Sequence, residues 1–89
     1  MTEPTQGRSG WTLEEANRYE RARALVSAVI AAYSSRIGKA SREDAAILRN
    51  QQRTYVLERG QLGVHDRAQI QRILDDYPPL LRRVREGEQ

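Results

Sequence analysis

The stretch Thr12–Gly38, TLEEANRYERARALVSAVIAAYSSRIG, decides the fold. Thr12-x-x-Glu15 has the spacing of a capping box. The hydroxyl accepts from an orphan amide of the first turn, and the carboxylate reaches back to the cap's own amide. Helical spacing then predicts a helix from Leu13 to about Ile37, with Gly38 as its stop. Taken at 100° per residue from Leu25, an arc roughly 200° wide holds Ala28, Ala32, Leu25, Val29, Ala22, Tyr33, Val26, Tyr19, Ile37 and Ile30. A surface helix needs an apolar stripe of only about 100°. Ala24, Ser27 and Ala31 on the opposite side are small and permit close approach. This helix is therefore covered on more than one side. It is either the central helix of the domain or a subunit interface. In the second case the contact residues are Tyr19, Val26, Val29, Ile30, Tyr33 and Ile37.

Two further capping boxes follow, Ser41-x-x-Asp44 and Asp66-x-x-Gln69. The first predicts a helix from Arg42 to about Arg59, ending before Gly60. Asp44 is a short stand-in for the usual Glu or Gln, so this box is the weakest. Ala45, Leu48 and Tyr55 share one face, but Gln52 and Arg59 interrupt that seam. Ile47 and Leu57 point elsewhere, toward a second small contact. The segment 60–65 reads as a loop anchored by Leu62 and Val64. After Asp66, Ile70, Ile73, Leu74 and Tyr77 form a clean i, i+3, i+4, i+7 stripe. Pro78-Pro79 removes two amide donors and disfavours the helical region for Tyr77. The expectation is a break there and a short fourth helix from Pro79 to about Arg85. Leu80, Leu81 and Val84 keep the phase of the earlier stripe. No segment alternates as a strand does. The fold class expected is all-α: a small bundle of three main helices plus a short C-terminal helix after Pro78-Pro79.

Eighty-nine residues make one small domain. Residues 1–10 carry no large apolar residue except Met1 and read as a disordered tail, as do residues 87–89, leaving 11–86 as the helical domain. Oligomerisation or a partner often supports a core of that size. With no cysteine, disulfides and thiolate metal sites are excluded. The longest apolar run, Val29 to Tyr33, is far too short to span a membrane. The first ten residues lack the apolar segment of a secretory signal, so the expected location is the cytoplasm. Net charge is +3, with fourteen Arg against one Lys. A basic balance suits nucleic acid or an acidic partner. The Arg bias is equally what a GC-rich bacterial genome imposes on solvated faces, and twelve acidic residues are interspersed.

Candidate chemistry is sparse. His65 is the only histidine and precedes Asp66, which is needed as a cap; no nucleophile motif accompanies it. One His without Cys leaves only carboxylates for a metal, and Asp75 and Asp76 diverge by about 100° on a helix. No cofactor is implied, since neither Gly60 nor Gly63 begins a phosphate-cradling loop. The strongest nucleic-acid signal is Arg42, Arg49 and Arg53, which fall within about 40° of one another on the second helix. Such a stripe tracks phosphates, and Asn50, Gln51 and Gln52 beside it suit base edges. Arg82, Arg83 and Arg85 complement the negative end of the last helix dipole without any ligand. Trp11 occupies the staple position before the first cap. Tyr33, Tyr55 and Tyr77 recur every twenty-two residues, an offset shared by Gly38/Gly60 and Asp44/Asp66. That offset is compatible with a duplication, though stops and caps recur at such intervals in any helical bundle.

Arg53-x-x-Val56-Leu57-Glu58-Arg59, followed by Gly63, Asp66, Ile70 and Ile73-Leu74, resembles the later part of the all-helical chorismate mutases. The first-helix pattern of those enzymes, two spaced Arg and a following Lys, fails here, and Thr54 stands where a Glu is expected. The chain is not placed in that family. The function expected is a small non-catalytic binding module, regulatory or adaptor, that self-associates or engages a protein partner. The alternative is a nucleic-acid-binding protein using the Arg stripe; a small helical enzyme comes third.

Overall fold

A computed structural model describes residues 12–87. It consists of three helices, α1 (Leu13–Ile37), α2 (Arg42–Gln61) and α3 (Arg67–Arg85), with no strand among the described residues. The expectations for residues 1–10, for Trp11 and for residues 88–89 lie outside them. No helix described is long and apolar enough to cross a membrane.

α1 is the central helix, and it packs against both others. The Thr12 capping box forms in both directions, at 3.0 and 3.1 Å. The Thr12 amide first, and then Arg67 from α3, hold the Glu15 carboxyl below its ordinary range. The wide apolar arc of α1 is accounted for inside the chain. Val26, Val29 and Tyr33 are fully buried by the other two helices, while Tyr19, Ile30 and Ile37 are half-buried against the same clusters. The six residues expected at a subunit interface therefore line an internal one, because α2 and α3 together cover the arc that a second subunit would have covered.

α2 uses the seam Ala45, Leu48, Gln52, Tyr55, Arg59, and its polar members find partners on α1. Gln52 Nε2 donates to the Ile30 carbonyl and to Ser34 Oγ, both at 2.9 Å, and Arg59 Nη1 donates to Ser27 Oγ at 3.0 Å. Small hydroxyl residues on α1 thus meet the two positions that break the apolar pattern.

α1 ends at Ile37 and α3 begins after Asp66 as expected, but one boundary and the chemistry of two ends differ. α2 runs through Gly60 to Gln61. Gly60 is helical and Gly38 has φ −65°, so neither adopts a left-handed stop; only Gly87, at φ 78°, is left-handed among the described glycines. The third cap is also built differently. Asp66 makes no side-chain bond to its own helix. Its Oδ2 accepts from the Gly63 amide at 2.9 Å, tying the loop closed, and Gln69 turns to α2 instead.

The fourth helix is absent: α3 is continuous through Pro78 and Pro79. Each interior proline costs about 3 kcal/mol by losing a donor and crowding the preceding turn, so the pair costs up to about 6 kcal/mol. Burying Leu80 and Val84 contributes about 1.5–3 kcal/mol each. Half-buried Leu81 and Pro79 add to that. A chain that turned away at Tyr77 would forfeit all four contacts, so tertiary burial outweighs the local preference for a break.

Candidate functional site

α2 and α3 flank α1 without approaching each other closely, and a cleft of about 740 Å³ opens between them. Tyr55 and Tyr77 line it and belong to one aromatic cluster with the buried Tyr33. Tyr33 stacks on Tyr55 at 5.7 Å between ring centroids, and Tyr55 meets Tyr77 edge-on at 5.8 Å. The twenty-two-residue spacing of the tyrosines thus corresponds to one ring from each helix at one level of the bundle. Burial is the first cause raising both outer phenols. Tyr33 is pushed up to about 12. Tyr77 is pushed well above its ordinary value, with its bond to Glu58 as the second cause.

Glu58 on α2 is the polar centre of the cleft, with only 16% of its side chain exposed. Its Oε1 accepts from the Tyr77 hydroxyl and its Oε2 from Gln69 Nε2, both across to α3. Arg72 Nη2 lies 3.8 Å from Oε2. One carboxylate therefore bridges two helices whose backbones stay apart. In the sequence, Glu58 stands out only as part of the chorismate mutase likeness. Its signal as a bridge is chemical: it is the one acid on the C-terminal half of α2, on the side of that helix next to Tyr55.

The outer side of α2 is the second feature. Ile47 is 56% exposed and Leu57 57% exposed. They lie on the line Ile47, Asn50, Thr54, Leu57, Gln61, which alternates steps of three and four and contains no charge. Ile47 and Leu57 lie off the buried seam, as the sequence predicts, but remain exposed instead of forming a second small contact, and Thr54, Leu57 and Gln61 border the cleft.

Arg42, Arg49 and Arg53 are all exposed. They belong to a wider asymmetry that primary sequence conceals. α1 and α3 run the same way and α2 the opposite way, so residues 31–54 and 78–87 gather at one end of the bundle. These segments carry eight Arg or Lys against three Asp or Glu. Residues 12–30 and 55–77, at the other end, carry six against seven. The charge is thus concentrated rather than spread.

His65 is exposed beside the loop, and Asp75 and Asp76 are exposed on α3. No group of three or more potential metal ligands converges among the described residues. The chain matches no protein-family model, no curated protein and no solved structure.

Proposed function

We propose that this chain is a small non-catalytic binding module, of the regulatory or adaptor kind, that self-associates through the outer face of α2. The observation that carries this reading is the pair of exposed apolar residues, Ile47 and Leu57, on an uncharged line with heptad-like steps. A seam of that kind is self-complementary: two copies lay it side by side, and a polar member such as Asn50 fixes their register. A chain of 10.2 kDa also has a small core, which association would supplement. Glu58 supports the non-catalytic side of the reading, since both of its oxygens are occupied in joining α2 to α3.

The test is sedimentation across the micromolar range. Wild type is expected above the monomer mass, and Ile47→Asp with Leu57→Asp is expected to sediment as a folded monomer. Both residues are exposed, so circular dichroism should show unchanged helicity. A wild-type chain that remains monomeric throughout that range would remove the reading.

The cationic end favours a second reading, a nucleic-acid-binding protein in which Arg42, Arg49 and Arg53 contact phosphates. The triple change of these residues to Ala should then leave the fold intact and weaken duplex binding. The slope of log affinity against log salt should shrink by up to about three units.

A further inference from the structure

Beside the junction of α1 and α3, on the cationic end, lies a hollow of about 470 Å³ to which α2 contributes nothing. Alanines of α1 floor it. Its polar lining is Ser35 and Arg36 from α1, Lys39 from the loop after it, and Arg85 from the end of α3. No acid lines it. Among the described residues no carboxylate comes within 4.0 Å of any of these three cations; the ion pairs formed are Arg67–Glu15 and Arg72–Glu58, elsewhere.

Arg36 and Arg85 each stand in the last turn of a helix, where the dipole favours a cation without any ligand. That accounts for each one singly. It does not account for three cations from three elements around one hollow. Nor does it account for Arg36 Nη1, which is shut off from solvent with no acceptor. A buried guanidinium donor left unsatisfied is costly, and a shift of the Arg36 side chain that turned Nη1 into the hollow and onto an anion would remove that cost.

We propose that this hollow is a binding site for a phosphate group, with Arg36 as its anchor, Lys39 and Arg85 as flanking cations and Ser35 as a hydroxyl donor. Three positive charges exceed what a carboxylate neutralises, and a phosphate monoester, at about −1.5 to −2, is the better match. The alanine floor lets a ligand approach the helix backbone closely. The hollow takes either a free organic phosphate or a phosphate of a polynucleotide backbone. The proposal stands independently of self-association through α2.

The experiment follows backbone amide resonances while inorganic phosphate is added at constant ionic strength, with chloride as control. Saturable shifts are expected at Ser35, Arg36, Lys39 and Arg85 with phosphate only. Arg36→Gln should weaken the response about tenfold or more, the loss expected for a charge-assisted contact. Lys39→Ala with Arg85→Ala, both exposed and safe for the fold, should weaken it comparably, and Arg49→Ala should not. A mononucleotide and a short duplex oligonucleotide then separate the sources. Tighter binding of the mononucleotide than of inorganic phosphate assigns the site to free organic phosphates. Tighter binding of the duplex alone, lost in Lys39→Ala/Arg85→Ala, assigns it to the backbone. Non-saturating shifts shared with chloride, or a double variant that binds like wild type, would overturn the proposal.

Discussion

Gly60→Ala should stabilise this protein. Gly60 lies inside α2, is exposed, and lacks a positive φ. A Cβ built there meets nothing within 4 Å. Glycine in a helix costs roughly 0.5–1 kcal/mol relative to alanine, chiefly through the freedom it keeps in the unfolded chain. Because Gln61 closes the helix one residue later, the lower half of that range applies best. The corresponding rise in melting temperature is about 2–6 °C for a domain of this size. Thermal and urea unfolding followed by circular dichroism would measure it, and an unchanged urea slope would show that the unfolded reference has not altered. Gly87→Ala is the control with the opposite prognosis, since φ 78° strains an L side chain. A loss of stability on Gly60→Ala would refute the reasoning, because it would mean that the helix stops at Gly60 in a left-handed conformation.

Two further outcomes follow from the same structure. Replacing Pro78 and Pro79 together by Ala should raise stability by about 1–4 kcal/mol, the restored donors outweighing the greater freedom of the unfolded chain; no gain in a urea titration would mean the chain turns at Tyr77 in solution. Stability should also fall as pH rises above about 10. The folded state raises the pKa values of Tyr33 and Tyr77, so the unfolded chain loses these protons first, and the loss continues until the folded phenols titrate. Urea midpoints between pH 9 and pH 11 would show the decline, and Tyr77→Phe should flatten it.

The sequence is informative where local chemistry acts alone. The caps at Thr12 and Ser41 start their helices as their spacing predicts, while the breadth of the α1 arc leaves open a central helix or a subunit interface until the packing of α2 and α3 on it decides for the first. Leu62, expected as a loop anchor, is buried. Legibility stops where two segments settle one residue's fate. Asp66 has the chemistry of a cap, but the Gly63 amide competes for its carboxylate and wins. Pro78-Pro79 reads locally as a break until the burial of Leu80 and Val84 is counted. The cationic end is illegible for another reason: its charges are dispersed along the chain and meet only because α2 runs against α1 and α3. The site residues divide the same way. Arg42, Arg49 and Arg53 share a helix and were visible as a stripe, whereas Arg36, Lys39 and Arg85 come from three elements and were not.

The polar residues at the helix contacts explain how so small a core fixes one arrangement. Apolar contacts are non-directional, and a helix with Ala45, Leu48 and Tyr55 as its buried seam would gain much the same area after sliding one turn along α1. Gln52 and Arg59 remove that freedom, because a displaced α2 would carry both past the hydroxyls of Ser34 and Ser27 and leave part-buried donors unmet. Each unmet donor costs about 1–3 kcal/mol, more when charged. Glu58 does the same between α2 and α3, where no backbone proximity sets the register and the bonds from Tyr77 and Gln69 do. The interruptions of the apolar pattern thus supply the specificity that hydrophobic burial lacks. The outer line of α2, with Ile47 and Leu57 separated by Asn50 and Thr54, has the same alternation of apolar and polar members. By the same logic it would fix the register of a second copy.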